Sequence, residues 1–331
     1  MKQKRTNYKK PRGRQAQERK FYTKDDIFIS RMASILMLPK SKIVPLFSQR
    51  AISTIRINPL KGNVEEIKKL LLEKDYDLEK VTMVENVYFV RNKDKSEISR
   101  TDEYYDGLFY IQNLSSILPS AILNPKEDEK ILDMCAAPGS KTTHLAALMN
   151  NKGTIVANDS DQKRISSLNN VLKQFGVTNT KVTMEEGEDI GVLKPNEYDK
   201  VLLDAPCSGE GLIYMRGQKP LRFWGIDKIK RYSFIQKELI ESAFLTLKHG
   251  NYMIYCTCTL EPEENEGVIT YLLNSYPNAR LEEIEIEKKK NITEGITKWS
   301  GNTYHPSVKK SIRILPTREM MGFYIAKIFK E

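Results

Sequence analysis

The feature that most constrains the fold of this 331-residue chain is a regular alternation of short apolar segments with longer amphipathic segments after residue 113. Strands are predicted at 130–134, 154–158, 181–184, 200–203, 251–255 and 322–328. Helices are predicted at 114–123, 141–149, 162–175, 237–247 and 264–274. Because strands that alternate with helices of about ten or more residues form parallel sheets, we predict an α/β fold with a doubly wound, mostly parallel sheet.

The preceding residues have a different pattern and are predicted to form a smaller unit. Its predicted elements are helices at 27–36, 41–49 and 64–72 and strands at 53–57 and 87–90. Pro39 separates the first two helices, and the polar segment 101–105 is predicted to be a linker. We therefore expect a small α/β domain over 25–105 and the sheet domain over 106–331.

The excess basic charge is concentrated at the N-terminus. Residues 1–24 contain ten Lys and Arg side chains and one acid, so they carry nine of the ten net positive charges. This tract is polar and has no apolar periodicity, which predicts a basic disordered arm. Such an arm attracts polyanions through counterion release, and the alternative is a tail that only increases solubility.

The composition also excludes several classes of protein. A hydrophobic fraction of 40% excludes a wholly disordered chain. No apolar run approaches the roughly 18 residues of a membrane helix, so we expect no membrane partner. The N-terminal charges are not followed by an apolar segment, and four cysteines do not make a disulfide framework. We therefore expect no secretory signal and a cytoplasmic location.

Small residues and an acid follow the first two strands of the predicted parallel sheet, where ligands bind in such folds. The segment Asp133–Lys141 (DMCAAPGSK) allows close backbone approach and leads into a helix. Asp159, about 20 residues after the glycine turn, is placed to bind ribose hydroxyls. The absence of GxGxxG and GxxxxGK[ST] motifs argues against dinucleotide and triphosphate sites. We predict a nucleoside-containing cofactor; the alternative is an ordinary tight turn beside a helix-capping carboxylate.

Two later strand ends carry cysteines. Asp204 and Cys207 follow the fourth predicted strand, and Cys256 and Cys258 follow the fifth. A buried cysteine is usually an inert small hydrophobe, whereas one at this rim near Lys141 is suited to act as a thiolate nucleophile. The sequence leaves both interpretations open. No C-x-x-C pair is present and the three histidines do not cluster, so we expect no metal.

Four segments resemble the signature blocks of the Sun (nucleolar protein/Sun) family of RNA cytosine-5 methyltransferases. They are DMCAAPGSKTTHLAALM, VANDSDQKR, VLLDAPCSGEG and YCTCTLEPEENE. Arg56-Ile57-Asn58 resembles the family's Arg-x-Asn element, and Gln112–Ser116 its Gln-(Asp/Glu)-x-x-Ser element, with Asn113 in place of the usual acid. The C-terminal GFYIAK resembles its closing strand. The blocks occur in the family's order from about residue 50 onwards.

The resemblance implies a class I methyltransferase sheet that uses S-adenosyl-L-methionine, preceded by a small α/β domain that contacts RNA. The cofactor-binding residues that it implies are Cys135, Ala136, Ala137, Pro138, Gly139, Ser140, Lys141, Asp159, Glu186 and Asp204. Glu186 is aligned with an acid that lies near the adenine in the family, and Asp189 is a competing candidate.

The resemblance also implies the chemistry. Cys258 is the nucleophile that attacks C6 of cytosine, which makes C5 electron-rich enough to accept a methyl group. Cys207 assists product release, and Asp204 hydrogen-bonds the cytosine edge. Cys256 has no role in the family and is expected to pack. The base must leave its stack to reach such a pocket, so the substrate is expected to be single-stranded or flipped out.

The predicted function is therefore methyl transfer to C5 of a cytosine in tRNA or rRNA by a monomer. One alternative is a non-catalytic RNA-binding or assembly factor, and another is a methyltransferase that acts on an exocyclic amine or a protein. The Cys207–Cys258 pair argues against both, because neither needs a cysteine nucleophile. Phe223 and Trp224 are expected to be core or lid residues rather than base-stacking ones.

Overall fold

The computed structural model describes residues 23–331, so the predicted basic arm lies outside the described residues except for its last two positions. Thr23 is the N-cap of the first helix. Its hydroxyl accepts from the Asp26 amide at 3.2 Å and the Asp26 carboxylate accepts from the Thr23 amide at 3.1 Å, a capping box that fixes the start of the helix. The first two helices are α1 (Lys24–Leu36) and α2 (Lys40–Leu46).

A small antiparallel sheet follows these helices. Its strands are β1 (Ser53–Ile57), β2 (Leu78–Lys80), β3 (Val87–Val90) and β4 (Phe109–Ile111), in the order β2-β3-β1-β4. The helices in this stretch are α3 (Val64–Glu73), α4 (Lys95–Ile98) and α5 (Asp102–Tyr105). Ile55 and Ile57 pack with Leu71 and Phe109, so the sheet and α3 share a core of their own.

The segment predicted to be a linker belongs to this unit, so that prediction was wrong. Residues 102–105 form the helical turn α5, and the Tyr104 ring lies 6.1 Å from Phe109 and 6.4 Å from Phe175, measured between ring centroids. Two tyrosines in a polar stretch gave no periodic signal. The contacts that bury Tyr104 come from residues distant in the sequence.

A large mixed sheet contains nine strands within residues 23–331. The parallel strands are β5 (Lys130–Asp133), β6 (Thr154–Asn158), β7 (Thr180–Thr183), β8 (Tyr198–Asp204) and β9 (Leu247–Thr257). The later strands are β10 (Ala279–Glu282), β11 (Ile292–Glu294), β12 (Lys298–Trp299), β13 (Asn302–Thr303), β14 (Ile312–Ile314) and β15 (Phe323–Lys330). The order is β7-β6-β5-β8-β9-β15-β14-β11, β10 pairs with β15, and β12 and β13 form a separate ribbon.

Helices cover both faces of this sheet. They are α6 (Leu114–Leu123), α7 (Ser140–Leu148), α8 (Gln162–Gln174), α9 (Gly187–Leu193), α10 (Ile226–Thr246) and α11 (Glu266–Ser275). Ile131 and Leu202 pack with α6 and α7, whereas their neighbours Leu132 and Leu203 pack with α9, α10 and α11. The doubly wound, mostly parallel core is therefore confirmed, with antiparallel strands added beyond β9. In the described part of the chain, no helix is both long and apolar enough to cross a bilayer.

Helix α10 begins at Ile226, eleven residues before its predicted start at residue 237. The first half of the helix lacks a clear apolar stripe because two of its buried positions are polar. Ser233 donates to the Glu263 carbonyl at 2.7 Å, and Gln236 donates to the Pro206 carbonyl at 2.8 Å. Hydrogen bonds to loops of the sheet therefore take the place of apolar contacts in this part of the helix.

Two junctions attach the N-terminal elements to the large sheet. A buried guanidinium nitrogen of Arg56 on β1 donates to Thr143 of α7 at 2.9 Å, and the Asn58 amide donates to the Phe175 carbonyl at 3.0 Å. Helices α1 and α2 pack elsewhere, on Trp224 and Leu260. Trp224 is thus a core residue as expected, and its neighbour Phe223 is 74% exposed.

The core position of Leu202 makes a direct test of this packing. We expect Leu202→Ala to lower the free energy of unfolding by about 2–5 kcal/mol, because a fully buried side chain leaves a cavity between β8 and the α6–α7 layer. Urea denaturation measures this change. Leu193→Ala, at a 65% exposed position, is the matched control and should change little. Equal effects in both variants would contradict the packing described above.

Candidate active site

The predicted site residues converge on one cavity at the carboxyl ends of the parallel strands. Its volume is about 540 Å³. The predicted residues that line it are Cys135, Asp159, Glu186, Asp204, Cys207 and Cys258. Parallel strands end at the same edge of a sheet, so segments far apart in the sequence meet here. Ala136–Gly139 form the turn between β5 and α7, Ser140 and Lys141 begin α7, and none of these six predicted residues lines the cavity.

Gly139 allows this turn to lie close to α8. Its φ is +108°, and a Cβ at this position would come within 2.9 Å of Leu168 and 3.1 Å of Val171. A side chain would therefore push α8 away and open the turn. The turn is also tied to the next strand, since the Ala136 amide donates to the Asn158 carbonyl at 2.7 Å. The result is a compact wall of small residues beside the cavity.

Asp159 holds the turn from the end of β6. It is 3% exposed, and its carboxylate accepts from the Ala137 and Asp161 amides, each at 3.2 Å. Arg164 lies 3.3 Å from the same carboxylate and donates to the Ala137 carbonyl at 2.7 Å. A carboxylate has about four acceptor positions, so Asp159 retains capacity for the hydroxyl groups of a ligand in the cavity that it lines.

Of the acidic residues that follow β7, some line the cavity and others do not. Glu185 forms an ion pair with Lys194 at 2.7 Å, which directs it away from the cavity. Glu186 and Glu188 line the cavity, and Asp189 lies in the first turn of α9 without being part of the lining. The geometry therefore favours Glu186 over Asp189 as the acid nearest to a ligand, and Glu188 is a lining residue that the sequence had not suggested.

Lys141 and Asp204 form the charged pair at the floor of the site. The ammonium nitrogen lies 2.6 Å from Asp204 Oδ2 and donates to the Ser116 hydroxyl at 2.9 Å. Burial alone would lower the pKa of Lys141, but the attraction of the surrounding acidic groups, Asp204 foremost, together with the hydrogen bond to Asp204 outweighs it, and the pKa lies above its usual value. Lys141 therefore stays charged, and it fixes the Asp204 carboxylate, whose side chain is 34% exposed.

The sulfur atoms of Cys207 and Cys258 lie 3.2 Å apart. Cys207 follows β8 and Cys258 follows β9, and these two strands are parallel neighbours. The hydrogen bond to Cys258, together with burial, raises the pKa of Cys207 well above its usual value. Cys207 is thus held as a thiol in hydrogen-bond contact with Cys258. All four cysteines are free thiols.

The other two cysteines differ in placement. Cys256 is fully buried beneath the site, and its thiol donates to Asp204 Oδ1 at 3.5 Å. Burial and the neighbouring Asp204 charge raise the pKa of Cys256 well above its usual value, which agrees with the packing role predicted for it. Burial likewise raises the pKa of Cys135, which lines the cavity as a neutral thiol.

A buried polar network that sequence reasoning missed holds the two cysteine loops together. Ser208, next to Cys207, donates to Glu210 at 2.7 Å and is also in contact with Glu264. Thr259, next to Cys258, donates to the same Glu210 carboxylate. Both glutamates are fully buried. The only sequence signal was the density of acids in LEPEENE, which is more often typical of a solvated surface.

The protons of this network can be placed from its donors and acceptors. The Ser208 hydroxyl has one proton and two carboxylate neighbours, so a second proton must lie on one of the carboxyls. Burial and the nearby Glu210 charge raise the pKa of Glu264 to about 8. Glu264 is therefore the protonated partner near neutral pH, and it donates to Ser208, which donates to Glu210. Ionisation of Glu264 would leave two like charges bridged by one hydroxyl.

The raised pKa of Glu264 makes stability depend on pH. A carboxyl that binds its proton more tightly when folded stabilises the fold fully below its usual pKa of 4.5, and this contribution is lost as pH rises towards about 8. We expect Glu264→Gln to flatten the fall in stability between about pH 5 and pH 9, measured by urea denaturation. Glu238→Gln, at an exposed position on α10, is the control. Identical pH profiles for wild type and Glu264→Gln would contradict the proton assignment.

The described residues contain no cluster of His, Cys, Asp and Glu that is suited to hold a metal ion. The acids behind the cysteines are occupied by hydrogen bonds instead. Glu210 accepts from Trp224 at 2.7 Å, and Glu264 accepts from Gln236 at 2.9 Å. Glu261 pairs with Arg31 of α1 at 2.6 Å.

Comparisons with known proteins agree with this geometry. Residues 120–329 match the family model for 16S rRNA methyltransferase RsmB/F, and residues 25–114 match the N-terminal domain of 16S rRNA methyltransferase RsmF. A crystal structure of a methyltransferase homolog protein from Pyrococcus horikoshii has a TM-score of 0.79 at 32% identity, covering 94% of this chain and 96% of that one. NSun6 from Pyrococcus horikoshii, solved with SFG, shares the fold with a TM-score of 0.73 at 24% identity, covering 92% and 97%.

Curated relatives include enzymes named for different RNAs. The chain is 42% identical to tRNA (cytosine(49)-C(5))-methyltransferase of Pyrococcus abyssi, over 84% of this chain and 88% of that protein. It is 36% identical to Ribosomal RNA small subunit methyltransferase F of Shewanella sp. strain MR-7 over 84% of this chain, and it spans only 56% of that protein. It is 34% identical to 28S rRNA (cytosine-C(5))-methyltransferase of Mus musculus, over 94% of this chain and 39% of that protein.

The matched residues include the segments that line the cavity and carry both cysteines. The family resemblance inferred from the sequence blocks is thereby confirmed over both parts of the described chain. The chain belongs to the Sun family of S-adenosylmethionine-dependent RNA cytosine-5 methyltransferases, with RsmB/F-type domains.

Proposed function

We propose that this chain transfers a methyl group from S-adenosyl-L-methionine to C5 of a cytosine in tRNA or rRNA, through a covalent bond between Cys258 and C6. The observation that carries the proposal is the pair of sulfur atoms 3.2 Å apart at the edge of a cavity that also contains Asp204 and Asp159. A methyltransferase that acts on an amine or on protein would have no use for this pair.

The residues around the cavity fit the cofactor. Gly139 allows a compact turn after Cys135, which lines the cavity, and Asp159 keeps acceptor capacity for ribose hydroxyls. Glu186 lines the same cavity and is proposed to lie near the adenine. When bound, S-adenosyl-L-methionine supplies an electrophilic methyl group. Cys135–Lys141 and Asp159 would orient it towards the two cysteines.

Cys258 is proposed to act first. Its thiolate forms a bond to C6 of cytosine, the C5–C6 double bond is lost, and negative charge spreads over the ring towards N3 and O2. The Cys207 sulfur lies 3.2 Å from that of Cys258, so the two side chains reach the same position in the site. Asp204, fixed by Lys141, accepts from the exocyclic amine and so orients the ring over Cys258.

Cys207 is proposed to act second. After methylation, C5 still carries its proton, and removal of that proton drives re-formation of the C5–C6 double bond and expulsion of Cys258. The Cys207 thiol lies 3.2 Å from Cys258 Sγ, so we propose that it gives its proton to that sulfur as the sulfur leaves C6 and that the resulting Cys207 thiolate accepts the proton from C5. Without it the covalent complex would persist, because attack does not need Cys207 whereas release does.

The two cysteines can be separated by substitution. We expect Cys258→Ala to abolish methyl transfer and covalent complex formation, and Cys207→Ala to accumulate an RNA–protein adduct that survives denaturing electrophoresis. Cys256→Ala, which changes a buried thiol outside the cavity, is the matched control and should form no lasting adduct. The RNA is then digested to identify the labelled nucleoside. Label on an amino group, or normal turnover by Cys258→Ala, would refute the proposed chemistry.

The location of the protein, its oligomeric state and the role of the basic arm are also proposed. We propose a cytoplasmic monomer, since all four thiols are free and the proposed cofactor and base sites lie within one chain. We also propose that the basic arm adds RNA affinity. Deleting residues 1–22 should then weaken RNA binding and reduce its dependence on salt, as measured by fluorescence anisotropy. An unchanged salt slope would remove the arm from RNA binding.

A further inference from the structure

A second basic segment lies beside the active-site cavity. Residues 212–237 contain seven Lys and Arg side chains and one acid, whereas the rest of the chain from residue 25 onwards contains 36 basic and 41 acidic side chains. None of these seven cations forms an ion pair within the described residues 23–331. The exposed members are Arg216, Lys219, Arg222, Lys230 and Arg231. An uncompensated patch of this kind favours a polyanionic partner.

Exposed rings are interleaved with these charges. Tyr214 is 41% exposed, Phe223 is 74% exposed and Phe234 is 64% exposed. The Arg222 guanidinium carbon lies 4.9 Å from the centroid of the Phe223 ring. Basic side chains that alternate with exposed aromatic rings are the combination that binds single-stranded nucleic acid, because the cations meet phosphates and the rings stack on bases.

The same segment borders a larger groove. This groove has a volume of about 900 Å³ and lies between α2, the small sheet and the loop after β8. Leu212 lines both this groove and the active-site cavity. Tyr214, two residues further on, also lines the groove, as do Arg50 and Lys95. A chain that passes over Leu212 would thus connect the two spaces.

We infer that the groove and the segment 212–223 hold the RNA on one side of the target cytosine. The nucleotide next to the target lies in the groove with its base against Tyr214, and Arg216, Lys219 and Arg222 contact the phosphates that follow. This inference rests on the proposed function, because it takes the active-site cavity as the position of the target base. The occupant is unpaired RNA, since a base can reach Tyr214 only when it is not stacked in a duplex.

The charge part of the inference is tested by salt dependence. The double variant Arg216→Gln/Arg222→Gln should bind a single-stranded RNA oligonucleotide more weakly, and the slope of log K against log salt should fall by about 1.4, since each phosphate contact contributes about 0.7. Lys173→Gln/Lys181→Gln removes the same charge from exposed positions on α8 and β7 and is the control. Equal slopes for both double variants would overturn the phosphate assignment.

The stacking part is tested at Tyr214. Tyr214→Ala should raise KM for RNA about tenfold and leave KM for S-adenosyl-L-methionine unchanged, because the loss of one base–aromatic stack weakens RNA binding only. Tyr214→Phe should restore the wild-type value, since stacking needs the ring and not the hydroxyl. RNA with 4-thiouridine beside the target cytosine should crosslink to residues 212–223. A crosslink confined to other segments, with KM unchanged in Tyr214→Ala, would overturn the inference.

The outcomes for the inference and for the proposed function are separable. Methylation of cytosine C5 by the wild type, with neither the salt slope nor the crosslink as expected, would refute the groove and leave the proposed function standing. Altered slope and crosslink in a protein that methylates no cytosine would support the groove as an RNA site and refute the proposed function.

Discussion

The close approach of two sulfur atoms, Cys207 and Cys258 at 3.2 Å, is the interaction on which the site depends. It exists because β8 and β9 are parallel neighbours in the sheet, so their following loops leave from the same edge. Strand pairing alone would not fix loop positions to this degree. Ser208 and Thr259, each adjacent to one cysteine, both bond to Glu210, so a buried carboxylate ties the two loops to each other.

The two glutamates of this network would destabilise the fold if their hydrogen bonds were not made. Glu210 and Glu264 lie fully buried, and they do not repel each other as long as Glu264 keeps its proton. The indole of Trp224 donates to Glu210 and packs on α1 and α2. The N-terminal helices are thus in contact with the support of the cysteine pair, although they lie more than 150 residues earlier in the chain. The end of α2 also lines the groove proposed to hold RNA.

The sequence predicted those parts of the fold that local patterns determine. Strands β1, β3 and β6 and helix α6 have the predicted bounds, because β-branched or apolar residues recur in each at the spacing of its secondary structure. Short strands such as β2 and β4 were missed, since three residues carry too little pattern. The start of α10 was missed because Ser233 and Gln236 occupy buried positions through hydrogen bonds.

Some residues of the candidate site could likewise be predicted from the sequence, and others could not. The turn around Gly139 and the acid Asp159 were found from strand ends and spacing, and the structure places Asp159 and Cys135, which precedes the turn, in one cavity with Cys207 and Cys258. The role of Glu264 could not be predicted, because the acids in LEPEENE resemble surface charges, and Glu210 is a single acid in the loop after β8. Both glutamates are buried through contacts with Ser208 or Thr259. These contacts join two loops that are distant in the sequence, so neither loop's sequence predicts them.

Cys258 is proposed to form a covalent bond to C6 of the target cytosine. RNA that carries 5-fluorocytidine at the target position tests it most directly, because fluorine at C5 cannot leave as a proton and the covalent intermediate is trapped. The trapped complex is digested with protease and the modified peptide is sequenced by mass spectrometry. We predict that one nucleotide is attached to the Cys258 side chain. Attachment to Cys207 or Cys256, or methylated product without any adduct, would contradict it.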